Sequence, residues 1–256
     1  MNRLVRQGRL LTCAAQFLTR LPTPRLEAIE PDWIACSARY FPLVGQGVGL
    51  LSAAVWLLAG RFWPGLPAAV LAVAASVLAT GGFHEDGLAD TADGLGGGHD
   101  RERRLAIMKD SRIGSYGALA LGLVLMLRIG LLASLSPWSG AVALMVAHGG
   151  ARAAAVVVMA ALPYAGDIDA AKVKPAARGA RARDAAIALA LGAWPLVLLG
   201  LPRAALAVGL AGAVSLSMAL TSRKLIGGVT GDVLGAVEQL AEAALLMGAA
   251  AMFAGA

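Results

Sequence analysis

The stretch SYGALALGLVLMLRIGLLASLSPWSGAVALMVAHGGARAAAVVVMAALP, residues 115–163, decides the fold. It holds two apolar runs, 115–136 and 138–163, each long enough to cross a hydrocarbon layer about 30 Å thick. Pro137 parts them, and proline between two helical runs marks a tight turn. The pattern repeats on both sides: apolar runs fall near 40–59 and 64–81, then near 184–201, 203–221 and 232–256. Pro64 and Pro202 mark further tight turns, at 60–63 and 202. The other connections, 82–114, 164–183 and 222–231, are long and polar. Long and short loops alternate, as in stacked helical hairpins that open to one side. The expected fold is an all-α polytopic membrane bundle of about seven transmembrane helices. The pair 184–201 and 203–221 is short and interrupted by Gly and Pro, so two full spans or a partly re-entrant pair both fit there.

Composition agrees. Of 256 residues, 58% are hydrophobic and only 15% charged, with a mean hydropathy of +0.71. A water-soluble domain of this length needs far more polar surface. The N-terminus, Met1 to Arg20, imitates a signal peptide, with arginines before a short apolar run. No small-residue cleavage site follows, and an uncleaved interfacial helix is expected. Cys13 and Cys36 suggest neither a disulfide framework nor a Cys-rich metal site. One integral membrane domain spans 1–256, with 1–39 as its cytoplasmic and interfacial segment.

Charge sets the orientation. With the N-terminus inside, about 18 of the 22 Lys and Arg fall on cytoplasmic segments, and Arg61 and Arg203 on outer turns. Arg128 and Arg152 lie within spans. The expected topology is N-in and C-out, which puts every candidate chemical cluster, and hence the active site, at the cytoplasmic face. The net charge of +6 follows this membrane pattern and does not point to nucleic acid. The basic loop residues Lys172, Lys174, Arg178, Arg181 and Arg183 suit anionic lipid headgroups.

The first cluster is Gly82-Phe83-His84-Glu85-Asp86-Gly87-Leu88-Ala89-Asp90-Thr91-Ala92-Asp93-Gly94, with four carboxylates in nine residues. Asp86, Asp90 and Asp93 stand at i, i+4 and i+7 and share one helical face. Like charges on one stripe repel, and a divalent cation with hard oxygen ligands relieves the repulsion. Asp86, Asp90 and Asp93, with Glu85 in support, are therefore expected to hold a metal. The second cluster is Lys109-Asp110-Ser111-Arg112-Ile113-Gly114-Ser115-Tyr116-Gly117. It ends a short helix that Asp100 should cap after the breaker Gly96-Gly97-Gly98. Arg112 offers a planar fork for a phosphate, Asp110 could complete a metal shell, and Gly114 and Gly117 allow a ligand close to the backbone. The third cluster, Arg223-Lys224-Leu225-Ile226-Gly227-Gly228-Val229-Thr230-Gly231-Asp232-Val233-Leu234-Gly235, runs into the last span. Its N–H groups could bind an anion, with Asp232 as helix cap or cation ligand.

Arg128, Arg152, Glu238 and Glu242 sit within apolar runs, where charge is costly and is usually paired or functional. Arg152 and Glu242 both fall about 15 Å from the cytoplasmic face and could pair. His148 and His99 read as packing and loop residues. No Ser-His-Asp order and no Cys/His zinc spacing is present, so covalent catalysis by a side chain is not indicated.

Together these clusters resemble the cobalamin synthase family, the adenosylcobinamide-GDP ribazoletransferases. The likeness runs along almost the whole chain. It includes Phe17-Leu18-Thr19-Arg20-Leu21-Pro22-Thr23-Pro24, Tyr40-Phe41-Pro42-Leu43-Val44-Gly45, the acidic run, Asp110 to Gly117, Leu162-Pro163-Tyr164-Ala165, and Ile226 to Ala236. The resemblance implies a multi-pass enzyme of the bacterial inner membrane that depends on magnesium. It would join adenosylcobinamide-GDP to α-ribazole, or its 5′-phosphate, and release GMP. It would meet membrane lipids and leaves room for a homo-oligomer or for association with other cobalamin-assembly enzymes. It also implies catalytic roles for Glu85, Asp86, Asp90 and Asp93, and phosphate or substrate binding by Asp110, Arg112, Gly227, Gly228, Thr230, Gly231 and Asp232. Two rivals differ in their sequence demands. A CDP-alcohol phosphotransferase would need an Arg, a downstream Gly and a paired Asp that are missing here. A cation-coupled transporter would place its site near the bilayer midplane.

Overall fold

Gly81 and Gly82 both adopt left-handed backbone, with φ of 72° and 71°. They end helix α4 (Leu66–Thr80) and start helix α5 (Phe83–Gly97), and the chain turns through 90° between the two. A side chain at either position would strain that backbone, so glycine is required at the elbow. The computed structural model describes residues 3–26, 33–166 and 180–252, and among them it is all-α. Before the elbow come α1 (Arg3–Leu18), α2 (Trp33–Ser37) and α3 (Phe41–Ala59). After it come α6 (Arg101–Met108), α7 (Ser115–Ala133), α8 (Pro137–Ala161), α9 (Ala182–Ala193), α10 (Leu201–Ile226) and α11 (Gly231–Ala250). Asp100 caps α6 as expected, its Oδ1 accepting the Arg103 N–H at 2.7 Å.

Among the described residues, six helical stretches are long and apolar enough to span: 33–59, 115–133, 137–161, 182–199, 201–226 and 231–250. A seventh exists only if α4 and α5 count as one bent span. The second expected span is thus shorter than its apolar run suggested. The 15 residues of α4 rise only about 22 Å before the elbow turns the chain aside. The stretch 182–199 is α-helical to Ala193 and continues as a 3-10 helix, Trp194–Leu199, with Pro195 in its first turn.

Burial separates centre from rim. In α8 and α11, 72% and 78% of the apolar window is buried, against 22% in α7 and α10. The two central helices are rich in Ala and Gly, because spans surrounded by lipid associate through close backbone packing. Gly45 and Gly49 of α3, one turn apart, sit against the carbonyls of His148 and Leu144 on α8, where a Cβ would overlap. Gly248 of α11 meets the backbone of Ala207 on α10 in the same way.

The long connections gather at one end. Val229 donates to the Pro163 carbonyl at 2.9 Å and accepts from the Ala165 N–H at 2.8 Å. The Arg101 guanidinium donates to the carbonyls of Ile226 (3.0 Å) and Ala165 (2.6 Å). At the short turns, Trp56 Nε1 donates to Pro137 O at 2.9 Å. The expected basic loop lies mostly outside the described residues, and of its five cations only Arg181 and Arg183 are within them, both exposed.

Candidate active site

The acidic helix α5 docks on the last span through glycine. A Cβ on Gly87 would come within 2.8 Å of the Asp232 carbonyl and 3.2 Å of Gly235 Cα. This contact fixes how α5 is rotated. Asp86 is exposed and Asp90 half-buried, while Glu85 and Asp93 are buried. Glu85, Asp86 and Asp90 line a cleft of about 660 Å³ together with Arg20, Thr80 and Ser111. Phe17 and Phe83, edge to face at 5.4 Å, form part of its apolar lining.

Asp93 shares the helical face of Asp86 and Asp90 but meets a different neighbour. Its Oδ2 accepts the Gly114 N–H at 2.7 Å and its Oδ1 the Gly117 N–H at 2.9 Å. It therefore satisfies two of the open donors at the start of α7 and places a negative charge at that helix's positive end. A Cβ at Gly114 or Gly117 would overlap the Asp93 carboxylate. The close approach these glycines permit is made by Asp93 itself.

Glu85 faces inward, into a buried ionic network. Its Oε1 accepts from Gln239 Nε2 at 3.1 Å and lies 3.4 Å from Arg128 Nη1, and its buried Oε2 has no hydrogen-bond partner among the described residues. Arg128 also donates to Gln239 Oε1 at 2.7 Å and pairs with Glu242. Arg152 pairs with Glu238 at 2.6 Å. The expected Arg152–Glu242 pair is thus replaced by two others. Glu238 and Glu242 stand one turn apart on α11, and arginines from two different helices take one each. His148, expected only to pack, has Nδ1 at 3.0 Å from Glu242 Oε2. His148, Glu238 and Glu242 bring their ligand atoms within 4.8 Å of one another, a group that could hold a divalent metal. The i, i+4 spacing of Glu238 and Glu242 was the sequence signal for this cluster; nothing local marked His148 as part of it.

The other two clusters lie beside the cleft. Arg112 makes a forked ion pair with Asp110, with Nη2 at 2.6 Å from Oδ2 and Nε at 3.0 Å from Oδ1. Arg112 holds the Asp110 carboxyl down at about 2, so the pair breaks only as pH falls through that value. The Arg112 side chain is 86% exposed, and the residues lining the cleft are its neighbours Ser111 and Ile113. In the third cluster Gly227 ends α10 with φ 86°, and Gly228 packs on the Pro163 carbonyl. Thr230, not Asp232, caps α11: its Oγ1 accepts the Val233 N–H at 3.2 Å and donates to Asp232 Oδ2 at 3.3 Å. Gly231 is exposed with open space around it, and Asp232 lies against α5 at Gly87. Asp232 is thus adjacent to the acidic helix and on the same side of the bundle, although none of Gly227 to Asp232 lines the cleft.

The fold and these residues define a polytopic helical membrane protein with a carboxylate-lined cleft at the end where its long loops converge. The family model for cobalamin-5-phosphate synthase matches residues 10–250, and the chain belongs to that family. Its relatives include an adenosylcobinamide-GDP ribazoletransferase of Leptothrix cholodnii, 46% identical over 97% of each chain. Enzymes of that name from Azorhizobium caulinodans and Shewanella frigidimarina are 45% and 44% identical, covering 95% and 93% of this chain and 97% and 92% of their own. No solved structure matches it significantly.

Proposed function

We propose that this protein joins adenosylcobinamide-GDP to α-ribazole, or its 5′-phosphate, with release of GMP. The observation that carries the reading, beside near full-length likeness to ribazoletransferases, is the meeting of Glu85, Asp86 and Asp90 in one cleft. A ribazole hydroxyl attacks the phosphorus nearer cobinamide. The new P–O bond forms there as the bond to the GMP oxygen breaks, and the hydroxyl proton passes to a cleft carboxylate. The donor set fits magnesium: hard carboxylate oxygens, two of them solvent-facing, with a third held from behind by Gln239 and Arg128. Magnesium bound there would neutralise the diphosphate and the leaving phosphate. Asp86 and Asp90 would hold it, with Glu85 in support, and Asp93 would keep α7 in place beside them. The His148 group is the weaker metal site, because Arg128 and Arg152 already pair with its two carboxylates. That buried group is also what a cation-coupled transporter would use, and one assay separates the readings. Purified protein with both substrates and magnesium should release GMP, measured chromatographically; folded protein that releases none overturns the reading.

The cleft should face the cytoplasm, N-in and C-out, because the cationic segments flank it. Reporter fusions at residue 100 should report inside the cell, and an outside signal there would reverse the orientation.

A further inference from the structure

The guanidinium that shares the cleft with the three carboxylates is that of Arg20. Its backbone is fixed: the Arg20 N–H donates to the Ala79 carbonyl at 2.8 Å, tying the segment after α1 to the end of α4. Thr19 steadies it from the other side, with Oγ1 donating to Ala15 O at 2.8 Å and accepting the Leu21 N–H at 3.3 Å. The side chain lies directly on the elbow, where a Cβ on Gly81 would overlap Arg20 Nε. Gly81 is therefore needed twice, for its left-handed φ and to leave room for this arm.

Seven other arginines are engaged elsewhere in the bundle. Arg101, Arg104 and Arg203 donate to backbone carbonyls, and Arg39, Arg112, Arg128 and Arg152 pair with carboxylates. The Arg20 guanidinium makes no hydrogen bond or ion pair among the described residues, although three carboxylates line the same cleft. One of those, Glu85, is 8% exposed and keeps an unpartnered Oε2. A guanidinium and three carboxylates thus line one cavity, and none of the three is ion-paired to Arg20 among the described residues. That arrangement suits a ligand carrying both charges, an anionic phosphate with its bound cation. A planar guanidinium is matched to phosphate oxygens in a way an ammonium is not.

We propose that Arg20 is a substrate-binding residue that takes a phosphate oxygen of the nucleoside diphosphate ester. This rests on the reaction proposed above. A lipid headgroup offers the same phosphodiester chemistry at this depth, so the test separates the two sources. In lipid-free detergent, Arg20→Lys and Arg20→Gln should each raise the KM for adenosylcobinamide-GDP about tenfold or more, as expected for a lost charge-assisted fork. The KM for α-ribazole, the magnesium half-saturation and the melting temperature should stay put. Independently of turnover, affinity for magnesium–GDP, read by equilibrium dialysis, should fall by a similar factor. In nanodiscs, exchanging phosphatidylcholine for phosphatidylglycerol should change wild type and variants alike. Unchanged KM and unchanged GDP affinity in both variants overturn the assignment, as does wild-type protein that binds no GDP. So does a defect that appears only as altered dependence on anionic lipid. If wild type binds GDP but releases no GMP, a fall in GDP affinity in the variants still supports Arg20, and the reaction alone is lost.

Discussion

Asp86→Asn and Asp90→Asn should each cut GMP release by at least about 100-fold, because a carboxylate that holds the metal supplies several kcal/mol of transition-state stabilisation. Neither variant should lower the melting temperature, since Asp86 is exposed, Asp90 is half-buried, and both face the cleft. Asp93→Asn should behave in the opposite way. It keeps one acceptor for the start of α7 but loses the charge there, at a cost of about 1 kcal/mol in stability. Magnesium half-saturation, measured in the same assay, should move in the first two variants and not in the third. Full activity in both Asp86→Asn and Asp90→Asn would remove the cleft as the catalytic centre. A shifted magnesium dependence in Asp93→Asn would return that residue to the metal.

Arg128→Leu should be the most destabilising single change in the bundle. It strips the guanidinium from Glu85 and Glu242, which are 8% and 1% exposed. Leaving buried carboxylates without their partner costs about 3–5 kcal/mol. The expected result is a large fall in melting temperature in detergent, with little folded protein recovered. Arg128→Leu combined with Glu242→Gln should recover part of the loss, because one uncompensated charge goes with it. If Arg128→Leu melts as wild type does, the network does not hold α7, α5 and α11 together.

Arg128 also shows where sequence reading stops. Its place inside an apolar run already said that it is paired or functional, since an isolated charge is not tolerated there. The run could not say with what. Its partners, Glu85, Gln239 and Glu242, lie 43, 111 and 114 residues away along the chain. The Arg152–Glu242 expectation matched depth along the membrane normal, which rise per residue supplies. It lacked the rotation of each helix about its axis, which only packing sets. The glycines show the same division. The apolar run 64–81 ended at Gly81, and Gly114 and Gly117 signalled a close approach. The direction of the turn and the identity of the approaching group, Asp93, came from the assembled bundle.

By itself the sequence determined six of the spans, their order, the side on which polar segments collect, and the common face of Asp86, Asp90 and Asp93. Each of these is local, following from hydrophobic length, loop charge and the helical period. Only the tertiary structure decided what that common face meets. At the near end of α5 it opens on the cleft with Arg20; at the far end the start of α7 covers it and takes Asp93 for its own N–H groups. The period fixes which residues point the same way, while the Gly87–Gly235 contact between α5 and α11, nearly 150 residues apart in the chain, fixes where they point.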